Sequence, residues 1–209
     1  MDSRRRFSTW ALWLLLATIA VILWGAWVRV TGSGAGCADH WPLCNGELVP
    51  RSPRVETLIE LTHRVTSGLA GLLAIAVFWQ SRRLLPARDP ARRAAAWALA
   101  LMLLEGAIGA LLVKKGLVAK DTSAGRAWVV GLHLCNTFLL LAAQVATYQL
   151  GRAPQSLTLR GQGALALQLG LGLLGLLALG ATGAVTALGD TLFPAETLAE
   201  GVADDLAAG

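Results

Sequence analysis

Charge is scarce in this sequence. Acidic and basic side chains together make up 15% of its 209 residues, against 55% hydrophobic ones. The apolar residues fill long runs instead of the spaced stripes of a soluble helical domain, which excludes an ordinary water-soluble protein. No arginine-rich surface interleaved with aromatics is present. The net charge of +5 and the pI of about 9.7 therefore need no nucleic acid, and they fit basic loops facing anionic lipid. No A-x-A-like cleavage site closes the first apolar run, which is also too long for a removable signal peptide, although Arg4, Arg5 and Arg6 precede it. Cysteine is limited to Cys37, Cys44 and Cys135. Without a second pair or a C-x-x-C motif, a thiol relay to quinone lacks its parts. Histidine is limited to His40, His63 and His133.

What is present is hydrophobic length. A hydrocarbon core of about 30 Å takes roughly 20 mostly apolar residues per helix. Five stretches reach it: 10–28, 58–79, 94–113, 128–150 and 163–181. They predict an all-α, polytopic integral membrane protein, with a four-helix bundle over 1–150 and a fifth helix with an acidic tail over 151–209. Basic residues next to spans resist translocation. Arg4 to Arg6, Arg82, Arg83, Arg88, Arg92, Arg93, Arg152 and Arg160 fall on one side, against Arg51, Arg54, Lys114, Lys115, Lys120 and Arg126 on the other. The expectation is a multi-pass protein of the inner (plasma) membrane with its N-terminus in the cytoplasm. Loop 31–57 then lies outside, where oxidising conditions favour a Cys37–Cys44 disulfide over two free thiols. Cys135, inside helix four, reads as a small packing residue.

Loop 31–57 is rich in turn formers and carries Trp41 at an interfacial position, so it reads as an ordered cap. Loops are also expected at 81–93, 114–127 and 151–162. A short echo links the ends of helices one and five: Thr31-Gly32 precedes Asp39 and Pro42, and Thr182-Gly183 precedes Asp190 and Pro194. It suggests that helix five opens an incomplete second copy of the four-helix set. Past Pro194, Leu198, Val202 and Leu206 recur among Glu196, Glu200, Asp204 and Asp205, a pattern for a short amphipathic helix.

Ionisable groups within apolar spans are costly and usually have partners. Helix two opens E-T-L-I-E-L-T-H-R, placing Glu60, His63 and Arg64 on adjoining parts of one face. Glu60 pairing with Arg64, and His63 as a hydrogen-bonded interfacial side chain, is one account of them. Helix four supplies the other buried histidine, His133. Helices two and four run in the same direction, so the two imidazoles lie at matching depth and can face each other across the bundle. That suits a metalloporphyrin, with one axial nitrogen from each histidine and apolar walls for the ring. A zinc ion would be short of ligands. Glu105, beside the small residues Gly106 and Gly109, reads either as a packing residue or as a neighbour of the ring. His40, in the loop, has no assigned role.

The run V-R-V-T-G-S-G-A-G-C-A-D-H-W-P-L-C-N-G, followed by E-T-L-I-E-L-T-H-R, G-L-H-L and T-G-A-V-T-A-L-G-D-T-L-F-P, closely resembles the N-terminal half and fifth helix of the haem A synthase family. The resemblance implies an eight-helix enzyme of two similar halves. Such an enzyme oxidises a ring methyl group of haem O to the formyl group of haem A by successive hydroxylation. It implies Glu60 as the catalytic residue, His63 and His133 as axial ligands of haem O iron, and a Cys37–Cys44 disulfide. A haem b cofactor, bound by a histidine pair in the second half, is also implied. So are haem O synthase, a membrane electron acceptor and a second copy of the chain as partners. The sequence departs from the pattern in having no histidine after His133, so the expectation is a partial form. The rival readings are a haem b electron carrier working with quinone, a quinone-linked thiol oxidoreductase and a purely structural membrane subunit.

Overall fold

In hydrocarbon, every backbone N–H and C=O has to be satisfied within its own segment, and an apolar chain of this pattern meets that condition as helices. The computed structural model describes residues 3–118, 121–153, 161, 163–192, 197 and 203. It contains α1 (Ser3–Val30), a 3-10 turn (Ser33–Ala35), α2 (Val55–Leu84), α3 (Pro90–Lys114), α4 (Ala124–Arg152) and α5 (Gly163–Leu192). Among the described residues no strand forms beyond an isolated bridge between Cys44 and Glu47. All five helices contain a stretch long and apolar enough to cross a membrane, so the chain is an all-helical, multi-pass membrane protein.

The helices outrun the apolar stretches, because helical hydrogen bonding continues through the polar headgroup layer. At 1.5 Å per residue, 25 to 30 residues span about 38–45 Å, close to the full thickness of a bilayer. The loop expected at 81–93 therefore shrinks to 85–89. Asp89 caps α3 by accepting a bond from the Ala91 N–H at 2.9 Å, and Pro90 follows at the first helical position, where its missing N–H costs nothing. Loop 114–127 shrinks likewise, since Ser123 caps α4 through the Arg126 N–H. Most of loop 151–162 and the acidic segment past Pro194 lie outside the described residues.

α1 packs on α2 and α4, and α3 packs on α2 and α4, closing a four-helix ring with α5 seated outside on α4. Neighbours in the ring are antiparallel, so α2 and α4 are parallel and diagonal. The connected apolar core fills one end of the ring, where Phe7, Ala11 and Leu14 of α1 meet Ala74 and Val77 of α2, Ala91 and Ala95 of α3 and Leu150 of α4. Gly151 admits the Phe7 ring, which a Cβ there would overlap at 2.8 Å. At the same end Arg4 pairs with Asp89 and donates to the Leu150 carbonyl at 3.0 Å, stitching α1 to both α3 and α4. α5 meets α4 where Gly180 receives Phe138 and Leu134. The Thr-Gly echo does not mark a shared local structure: α1 stops just before Thr31, whereas α5 runs through Thr182 to Leu192.

Candidate functional site

The half of the ring away from the apolar core holds the histidines. Counted from the helix starts at 1.5 Å per residue, His63 lies about 12 Å along α2 and His133 about 13.5 Å along α4. Because those helices are parallel and diagonal, the count puts the two rings at about one level in the bundle. Each is backed by a glycine of another helix. A Cβ on Gly25 of α1 would lie 2.9 Å from Cε1 of His63, and one on Gly109 of α3 would lie 3.9 Å from Cε1 of His133. The Ser67 hydroxyl donates to the His63 carbonyl at 2.6 Å and pins the main chain there.

Both imidazoles keep a buried Nδ1 that makes no full hydrogen bond. Among the described residues no cluster of three or more His, Cys, Asp or Glu side chains could hold a metal ion. Two imidazoles at about one level on diagonal helices, in the half of the bundle without the connected apolar core, are the donor set that a ring bringing four of its own metal ligands would need. They do not fit a second haem, since the remaining histidine, His40, is exposed on the loop.

Glu60 is buried at 3% exposure, and both its oxygens are engaged. Oε2 accepts the Cys37 N–H at 2.8 Å, while Oε1 accepts Nε of Arg64 at 3.0 Å and also contacts its Nη2. The other arm of Arg64 donates to the carbonyls of His40 and Leu43, each at 2.6 Å. The Glu60–Arg64 pairing thus extends into a clamp that fastens loop 31–57 over the start of α2. Cys37 and Cys44 form a disulfide with Cα atoms 4.4 Å apart, and both are fully buried. Gly36 lies so tightly on the Glu56 carbonyl that a Cβ could not be accommodated, and Thr57 Oγ1 donates to the Gly36 carbonyl at 2.8 Å. The loop is a cap, as its composition predicts.

Glu105 is brought to His133. Its Oε1 lies 3.3 Å from His133 Nδ1 and contacts Thr137 Oγ1, and its Oε2 accepts from Asn136 Nδ2 at 2.5 Å. Asn136 Nδ2 also donates to the Leu101 carbonyl at 3.0 Å. Gly25, Asn136 and Thr137 escape the sequence reading. The polar pair three and four residues after His133 in an apolar span was the available signal, whereas glycine is too common in membrane helices to mark position 25.

Comparison with known proteins adds independent support. The COX15-CtaA family model, described as cytochrome oxidase assembly protein, matches residues 8–206. A protein of Thermus thermophilus named protoheme IX farnesyltransferase is 51% identical over 98% of this chain and 34% of its own length. A heme A synthase of Alkalihalophilus pseudofirmus is 37% identical over 68% of this chain and 45% of its own, and one of Bacillus mycoides is 54% identical over 33% and 22%. The chain thus spans between about a fifth and a half of the length of these relatives. No solved structure matches it. A family match over residues 8–206, nearly the whole chain, makes this chain a member of the COX15-CtaA cytochrome oxidase assembly family, the family of haem A synthases.

Proposed function

We propose that residues 1–150 form the haem-holding half of a haem A synthase, an oxidoreductase that converts a ring methyl group of haem O to a formyl group, and that 151–209 opens a second unit. The observation that carries this is the pair His63 and His133, level on diagonal parallel helices and each backed by a glycine. The imidazoles would take the iron of haem O axially and so fix the ring's height below the loop cap. Two successive two-electron oxidations, each with water adding to the methyl carbon, two protons leaving and two electrons passing to a membrane electron acceptor, would turn the methyl into an alcohol and then a geminal diol, which loses water to give the aldehyde.

Glu60 stands one turn from His63. With both oxygens already accepting bonds, it suits stabilisation of positive charge on the reacting carbon better than proton abstraction, which would require it to give up the Cys37 N–H or Arg64. A haem b would supply one-electron transfer to a membrane acceptor. This chain has no second histidine pair to hold one, and no step is derived through it. The charge asymmetry of the loops supports a cytoplasmic N-terminus, with the disulfide-bearing cap on the oxidising side.

The Thermus relative's name favours a second reading, prenyl transfer to protohaem. Both names place a haem-type ring on the protein, and a haem O synthase is a natural partner as the source of the substrate. The chain covers 34% of the Thermus protein, so that name describes a longer protein, and prenyl transfer is kept as an outcome of the test. The deciding experiment supplies the purified chain with haem O, or with protohaem and farnesyl diphosphate, and identifies the pigment extracted. Haem O or haem A retained by wild type and lost from both His63→Ala and His133→Ala supports the proposal. A farnesylated product made from protohaem favours the transferase. Protohaem alone, with no haem O taken up, favours the electron carrier.

A further inference from the structure

We infer that Glu105 is a positioning residue that sets which nitrogen of His133 faces the iron. The inference rests on the haem reading above. Neutral imidazole carries one N–H and one lone pair, and a metal-binding histidine depends on a partner at its second nitrogen to hold the proton there. His133 Nδ1 is buried, and the acid it approaches is Glu105, at 3.3 Å. The approach is within ion-pair distance but short of full hydrogen-bond geometry. A small rotation of the imidazole, of the kind a ligand at Nε2 would impose, brings Nδ1–H onto Oε1.

The carboxyl group is itself held for that purpose. Asn136 Nδ2 donates to Oε2 while also bonded to the Leu101 carbonyl, and Thr137 Oγ1 contacts Oε1 while lying 2.9 Å from the His133 carbonyl oxygen. Donors therefore converge on both oxygens from α4, the helix that carries the histidine. Glu105 is left as an acceptor towards His133, and the lone pair of Nε2 is left for iron. Gly109, one turn further along α3, gives the ring room beside Glu105. Among the described residues no carboxylate comes within ion-pair distance of His63, as Glu105 does of His133, although the buried Nδ1 of both rings makes no full hydrogen bond. The two axial ligands are therefore unequal, with His133 the pre-oriented one.

The test reads the tautomer without haem and the ligation with it. The full chain is labelled with 15N-histidine in lipid nanodiscs. Its three histidines give separable ring signals, that of His133 being identified by its loss in His133→Ala. Wild type and Glu105→Gln, which keeps an acceptor oxygen, are expected to show His133 protonated at Nδ1. Glu105→Leu is expected to shift the proton to Nε2 or to mix the two forms. Titration with hemin should then give an affinity about 10–100-fold weaker in Glu105→Leu and largely restored in Glu105→Gln. An unchanged tautomer in Glu105→Leu overturns the inference, even if haem affinity falls, because the loss is then structural. Nδ1–H in wild type that depends on Glu105, with no haem taken up, supports the orienting contact and overturns the haem reading instead.

Discussion

At position 25 a side chain would have to share space with the His63 ring, and at position 109 it would not, which makes the two glycines a test of where the site lies. Gly25→Val puts a branched side chain where even a Cβ comes within 2.9 Å of Cε1. Overpacking of that kind costs about 1–3 kcal/mol, or roughly fivefold to 150-fold in an equilibrium. Haem titration of Gly25→Val should show a loss of that size, while Gly109→Ala, whose Cβ lies at an ordinary 3.9 Å, should bind as wild type. Equal losses in both would place the haem elsewhere. Glu60 gives a second prediction at this scale. Glu60→Gln keeps an oxygen for the Cys37 N–H but removes the charge, so haem O binding should persist while formyl product forms about 10²–10³-fold more slowly. Pigment chromatography over time measures both. His63 and His133 were legible in the sequence because a polar group in an apolar run is expensive. The engagement of both Glu60 oxygens was not, since one partner, the Cys37 N–H, is a backbone group that leaves no compositional trace.

Among the elements, loop 31–57 is the one whose order is bought by a covalent link. Closing so short a loop restricts the unfolded chain by about 2–3 kcal/mol in the chain-entropy account. Cys37→Ser with Cys44→Ser should lower the unfolding midpoint and expose the flank of the loop, where Arg51 and Arg54 are exposed in the folded chain. Faster tryptic cleavage there, with the helices otherwise intact by circular dichroism, is the expected result. Cleavage at the wild-type rate would mean that the Glu60 and Arg64 clamp holds the cap without the disulfide. Helix existence and type were legible from apolar length alone, but helix ends were not. Asp89 with Pro90 and Ser123 are capping signals that stop each loop short of the polar stretch around it.

For the whole molecule, the arrangement of spans predicts a sidedness. With an odd number of helices between them, the cap and loop 85–89 must lie on opposite faces of the membrane. Single cysteines placed at Ser52 and at Arg88 should react from opposite sides with an impermeant thiol reagent. Ser52 is expected to be the one labelled in intact cells, and labelling of Arg88→Cys instead would invert the topology.

Apolar run length, loop charge and the cost of ionisable groups in hydrocarbon are local properties. They determined the number of spans, the residues worth suspecting and the covalently tied cap. Only the tertiary structure decided that the ring closes in the order α1, α2, α3, α4, that Gly25 backs His63, and that Glu105 turns towards His133. The physical reason is that these depend on which helix faces meet. In a bilayer, lipid tails are as apolar as leucine, so close packing and interhelical hydrogen bonds choose those faces, and hydrophobic pattern does not.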